Sequence, residues 1–436
     1  MAGLSNIIKY AELFLSVFLI CVLTTISLTA GVAYSENTLS PDLRVNASNL
    51  KQMTEEIVSN GPRITTYSEL SSKEENEKGR LATEQSIEYI KNSMEMYGLE
   101  TSLEEIRDEP FSINNIIGIK RGTNLENQII IVCSHYDTAR TSPGADDTAL
   151  GVAATLEIAR TLQNYELNRT VYFIAFPEHS QPIGSERWIE MHPELKNNIT
   201  AVIGIDQIGY GNKSQVTYVQ QTSWLAEFVQ RSAFDTNNTI EGHLGIVGFS
   251  DYVPFIQSNI PGIEVIESEP TPFHHEPEDT VETLNFSLAK RTTEIVVEAV
   301  YQLATPEDRD PPLVEITSPN DQAISRDNII PLTYKVSDNT SHIQVLLDGQ
   351  NIGEITSGTT LIFSGGEHEI EVRATDRYGN RGIAVSSVKV DKYPEIMYSY
   401  SGKSNSNIDT HLLYGGVLSL LIIVACVWAY NKKLKK

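Results

Sequence analysis

The sequence predicts an α/β fold, a three-layer α/β/α sandwich with a mostly parallel sheet, followed by a small all-β sandwich and a C-terminal transmembrane helix. Three observations carry this. Between about residues 46 and 305, short, nearly unbroken apolar runs alternate with longer amphipathic stretches, the pattern of strands buried on both faces with helices between them. From residue 311 the runs are short, rich in Val, Ile and Thr, and separated by turn residues, as in a β-sandwich. Near the end, Leu412 to Tyr430 is an apolar stretch of about the 20 residues that a bilayer crossing needs.

Taken in chain order, the first element is Leu13 to Ala33 behind Lys9, so residues 1–35 are expected to be a secretory signal peptide or an N-terminal anchor. In the 46–305 region the strand-like runs are Gln128 to Cys133, Val171 to Phe176, Ala201 to Ile205 and Pro261 to Ile266. The helix-like segments are Leu81 to Tyr97, Ala149 to Leu162, Ile183 to Met191, Ser223 to Phe234 and Val281 to Leu303. The proline-marked break PEDRDPP then opens a region at 311–392 whose LDG turn and closing DRYGNRG resemble Ig-like modules appended to secreted enzymes. A polar stalk is expected over 393–410, the membrane helix over 411–430, and a cytoplasmic basic tail over 431–436 holding Lys432, Lys433, Lys435 and Lys436.

That orientation puts everything between the two apolar runs outside the cell, and sequons at Asn46, Asn168, Asn198, Asn212, Asn237, Asn285 and Asn339 agree with it. Of the three cysteines, Cys21 and Cys426 fall in the apolar runs and Cys133 is alone, so the exported part has no internal disulfide. Acids outnumber bases 57 to 33, for a net charge of −24. This excludes nucleic acid as a partner, because neutralising phosphates needs clustered Lys and Arg.

Acidic and imidazole side chains recur directly after the strand-like runs. His135 and Asp137 follow the first in SHYD, Glu178 and His179 the second in FPEHS, Asp206 the third in GIDQIG, and His274 and His275 the fourth in FHHEPEDT; Asp146 and Asp147 join from PGADD. In an open α/β sheet, ligands bind outside the carboxyl ends of the strands, so these groups should converge although distant in sequence. Carboxylates and imidazoles without cysteine suit Zn²⁺.

The ordered set SHYD, PGADDTALGVAA, FPEHSQPIGSERW, GIDQIGYG, SDYVPF and HHEPEDT resembles the family-28 metallopeptidases, the co-catalytic dizinc aminopeptidases, over roughly residues 60 to 305. The resemblance implies two zinc ions. His135 and Asp206 would hold one, His275 the other, and Asp146 would bridge them with Asp147 in support. Asp137 would accept the second ring N–H of His135 and fix its tautomer. Glu178 would be the general base of a metal-activated water that hydrolyses N-terminal residues from peptides with free N-termini. Where most members have a second Glu, this chain has His179, expected to ligate through a ring nitrogen. Tyr252 stands where His is frequent and is a candidate substrate-binding residue; His274 is expected to pack beside His275.

The whole reads as a membrane-anchored, extracellular zinc exopeptidase. Its Ig-like part is open to contact with surface glycans or proteins. Two alternatives stay open: a one-zinc enzyme of the glutaminyl cyclase type, and a catalytically degenerate peptide-binding or adhesion protein.

Overall fold

The computed structural model describes residues 43–107, 113–177, 181–246, 250–337 and 340–391. Glu178, His179, Asn339, the stalk and both terminal apolar runs lie outside them. Among the described residues no helix is long and apolar enough to cross a membrane.

Two helices come first, α1 (Ala47–Val58) and α2 (Lys73–Met96), each started by a side chain that satisfies free helix N–H groups. Asn46 accepts from the Ser48 N–H, and Ser72 with Glu75 forms a reciprocal capping box, a device contributing about 1 kcal/mol. The α/β sheet follows: β1 (Glu100–Arg107), β2 (Ile113–Lys120), β3 (Leu125–His135), β4 (Arg169–Phe176), β5 (Ile199–Ile205), β6 (Ser214–Tyr218), β7 (Glu241–Leu244) and β8 (Gly262–Glu267). Between and after these strands run α3 (Leu150–Leu162), α4 (Ile183–Met191), α5 (Ser223–Asp235), α6 (Val253–Gln257) and α7 (Phe286–Ala304).

The strand order is β1-β2-β4-β3-β5-β8-β6-β7. The central strands β4, β3, β5 and β8 are parallel, whereas β1, β2 and β4 pair antiparallel on one flank and β8 with β6 on the other. The sheet is therefore mixed, with β6 and β7 also parallel to each other, so that four of its seven strand pairs are parallel. The edge strands β1 and β7 escaped the sequence reading because neither has a buried side chain, which leaves no apolar run to find.

Side chains alternate across the sheet. Ile130 and Val132 of β3 join the core formed with α1, α2, α3, α5 and α7, while Ile129, Ile131 and Cys133 join that of Trp188 on α4 and Phe255 on α6. Both faces are thus covered, which makes three layers. The order of strand addition reverses at β3: β4 lies on one side and β5 on the other, so a crevice opens at the carboxyl ends of these strands.

The all-β region holds β9 (Val314–Ser318), β10 (Ala323–Ser325), β11 (Ile329–Val336), β12 (Thr340–Leu347), β13 (Gln350–Gly353), β14 (Thr359–Ile362), β15 (Gly366–Asp376) and β16 (Arg381–Val390). They form a five-stranded sheet, β10-β16-β15-β12-β13, and a three-stranded one, β14-β11-β9. Leu332 and Tyr334 of one sheet pack with Ile370, Val372 and Val388 of the other.

This β region and the α/β region belong to one compact unit that runs to Val390. Their seam lies at the amino ends of the central strands, away from the crevice. Arg169, at the start of β4 and fully buried, donates to Gln128 Oε1 (2.7 Å) and the Leu303 carbonyl (2.5 Å) on its own side, and to the Tyr378 carbonyl (2.8 Å) and Asn380 Oδ1 (2.6 Å) across the seam. Desolvation lowers its pKa to about 10, so it remains charged at neutral pH. The turn that reaches it is DRYGNRG. Gly379 there has φ +76° and sits where a Cβ would come within 3.0 Å of Thr200 and 3.3 Å of Trp224, so it serves both the turn and the close approach.

Replacing Arg169 with Met leaves four acceptors, two of them in fully buried hydrogen bonds, to lose their donor, and we expect a loss of about 3–5 kcal/mol in chemical denaturation. A loss below about 1 kcal/mol would show that the seam does not depend on this residue.

Candidate metal centre

The crevice gathers side chains from three strand ends and two loops. His135 is the last residue of β3, Asp206 directly follows β5, and Glu267 ends β8. Asp147 lies in a kink before α3, where it and Thr148 leave helical geometry (φ −106°, ψ 80° and φ −140°, ψ 51°) and the Asp147–Thr148 peptide is cis. His274 and His275 come from the loop after β8, His275 with φ +64°, a left-handed conformation uncommon outside Gly and Asn and frequent at functional sites.

These residues form two groups that share Asp147. His135 Nε2 is 3.3 Å from Asp147 Oδ1 and 3.4 Å from Asp206 Oδ1. On the other side, Asp147 Oδ2 is 3.2 Å from His275 Nε2 and 3.5 Å from His274 Nδ1. A tetrahedral zinc ion with bonds of about 2.0–2.1 Å has ligand–ligand edges of about 3.3–3.4 Å, so both groups have the spacing and the nitrogen–oxygen donors that zinc takes. The first group is buried; the two histidines of the second are about half exposed, with side-chain exposures of 48% and 56%.

This arrangement corrects one expectation. Asp147, rather than Asp146, stands between the two groups. Asp146 turns the other way: its Oδ1 accepts from the Gly209 N–H at 2.8 Å and its carboxylate faces Glu267. The physical reason is the kink, which sends neighbouring carboxylates in opposite directions where a regular helix start would not.

Asp137 also differs in detail. His135 Nδ1 lies 3.1 Å from the Asp137 main-chain carbonyl and 3.6 Å from its carboxylate, so the acceptor that orients the ring is chiefly backbone. Tyr252, expected at the substrate, is fully buried, close to Gly204 and Gly262; it is a packed aromatic and not a pocket wall. Cys133 is buried in the sheet, and its desolvated thiol is held well above the usual range, so it is inert. His274, expected only to pack, stacks on His275 with ring centroids 3.8 Å apart and also presents Nδ1 to Asp147 and to Gln207 Nε2 (2.7 Å).

The electrostatics follow from crowding acids into a buried crevice. Burial opposes a charge on His135, but Asp137, Asp147 and Asp206 outweigh it and hold the imidazole well above its ordinary pKa. Burial likewise works against the Asp147 carboxylate, and its bonds to His135 and His275 overcome that and hold it well below the usual range. Asp146 is pushed well up by burial and by facing Glu267, and Glu267 is itself pushed up to about 7 by burial. The surroundings thus favour the protonated form in the Asp146–Glu267 pair and the anion at Asp147.

Residues 115–300 match the model of Peptidase family M28. Aminopeptidase YwaD of Bacillus subtilis (strain 168) is 30% identical over 205 residues, which is 43% of this chain and 44% of that protein. A probable zinc metalloprotease of Pyrenophora tritici-repentis is 28% identical over 109 residues, or 23% of this chain and 25% of its own. The chain thus spans less than half the length of both relatives. The solved structure of BSAP, a zinc aminopeptidase from Bacillus subtilis, superposes with a TM-score of 0.54 at 16% identity, covering 62% of this chain and 98% of that one, which shows a shared fold. The residues of both candidate metal groups, His135, Asp147, Asp206, His274 and His275, all fall within the segment that matches the M28 model.

Proposed function

We propose that the chain is a zinc-dependent aminopeptidase that removes N-terminal residues from peptides. The observation that carries this is Asp147, which offers one oxygen to His135 and Asp206 and the other to the histidine pair. A shared carboxylate favours two ions over the single zinc of a cyclase. His135, Asp206 and Asp147 Oδ1 would hold one ion; His275 and Asp147 Oδ2, joined by His179 or His274, would hold the other. Bound zinc supplies Lewis-acid polarisation and lowers the pKa of water. Glu178, one residue beyond Pro177 at the end of β4, is the proposed general base: its carboxylate takes the proton of the attacking water and returns it to the leaving amine.

We further read the chain as held in a membrane by its C-terminal apolar run, with the catalytic region outside the cell and the β region as an Ig-like module facing glycans or proteins. Asn285 is a poor glycan acceptor among the sequons: it caps α7, and its Nδ2 donates to the Gly211 carbonyl at 2.8 Å.

The test is mass spectrometry of free and N-acetylated peptides incubated with the full chain and zinc. Stepwise loss of N-terminal residues from the free peptides alone is the expected result. Loss of ammonia without cleavage would point to cyclisation, and intact peptides throughout would leave a binding protein.

A further inference from the structure

Between His135 and Asp147 the chain makes an eleven-residue excursion, Tyr136 to Asp146, and both of its ends carry ligand candidates. Such a loop, placed among carboxylates, would be expected to spread when no cation is present. Two residues outside it oppose that. Arg63, fully buried and upstream of the matched M28 segment, donates through Nε to the Tyr136 carbonyl (2.6 Å), through Nη1 to that of Pro143 (2.7 Å) and through Nη2 to that of Gly144 (2.8 Å). Its backbone also joins the loop, the N–H donating to Thr138 Oγ1 and the carbonyl accepting from the Thr138 N–H, both at 3.0 Å.

At the other end, Asp279 Oδ1 accepts from the Asp146 N–H (2.8 Å) and Oδ2 from the Asp147 N–H (3.2 Å), while its carbonyl accepts from the Ala145 N–H (3.3 Å). A cation grips the loop's carbonyls and an anion its amides, so the peptide dipoles of residues 143–147 are clamped at both poles. Gly144, at φ +65°, leaves the room: a Cβ there would fall 2.8 Å from Arg63 Nη2 and 2.5 Å from the Asp147 carbonyl. Asp279 lies four residues beyond His275, whose carbonyl accepts from Thr141 Oγ1 at 3.1 Å, so the same clamp ties the second histidine loop to the first.

We propose that Arg63 and Asp279 are positioning residues that hold the Asp147 loop in its ligating shape before any metal arrives. The inference rests on the zinc centre read above. Its claim is about geometry rather than charge, because one ammonium cannot replace a planar guanidinium that spans three carbonyls. Outer partners that orient a ligand typically govern about 10–100-fold in metal affinity.

The experiment measures zinc affinity of the full chain by competition with a chelator for wild type, Arg63→Lys, Arg63→Met and Asp279→Asn, with circular dichroism to show that each is folded. Both Arg63 variants and Asp279→Asn should bind zinc at least about 10-fold more weakly. Arg63→Lys within twofold of wild type would overturn the proposal, since charge alone would then suffice. Hydrogen exchange on the metal-stripped wild type decides the matter independently, including where a variant fails to fold: the Asp146 and Asp147 amides should stay protected, and fast exchange at both would overturn it. Failure of the wild type to bind zinc would instead refute the centre itself, with the exchange result still deciding whether the loop is clamped.

Discussion

Asp147→Asn is expected to strip zinc from at least one of the two positions and to lower kcat/KM by more than about 100-fold, while Asp146→Asn keeps its zinc. Loss of an outer partner already costs about 10–100-fold, and among the described residues Asp147 is the one carboxylate presented to both groups, 3.3 Å from His135 and 3.2 Å from His275. An amide there has one oxygen and no charge, so at least one side loses its donor. Asp146 instead faces Glu267 and the Gly209 N–H, where an asparagine side chain retains the acceptor and adds a donor toward the acidic neighbour. Zinc content after dialysis, measured by mass spectrometry, separates the two; a metal-free Asp146→Asn beside a metal-loaded Asp147→Asn would reverse the assignment of the bridge.

Glu178→Gln is expected to behave differently. A glutamine keeps the shape and loses the proton acceptor, so zinc content and KM should remain close to wild type while kcat falls on the order of 10²–10⁴-fold, the range that a positioned base supplies. Equal zinc with unchanged kcat would remove Glu178 from the chemistry. A fall in zinc content would make this residue a ligand and leave the base to be sought elsewhere in the crevice.

The reach of sequence reading is clear from these residues. The central strands are legible because burial on both faces leaves apolar runs, and with them the strand-end positions of His135 and Asp206. Glu267 obeys the same rule, closing the run that begins at Gly262, and was within reach of it. The distinction between Asp146 and Asp147 was not legible. Adjacent carboxylates have the same chemistry, and only the non-helical φ and ψ of Asp147 and Thr148 decide which one turns inward. Arg63 and Asp279 act through main-chain atoms of other segments, and nothing local distinguishes them from a surface arginine and a turn aspartate. The preference of His135 for a backbone acceptor is hidden for the same reason.

The seam at Arg169 has a mechanical consequence. A pull directed along β16 would act on a strand paired lengthwise with β15 from Arg381 to Val390, so its bonds would share the load in shear instead of opening one at a time. At the far end of β16 the load passes through Asn380 to Arg169 and into the start of β4. The loops bearing His135, Asp147 and His275 lie at the opposite ends of the strands, away from that path.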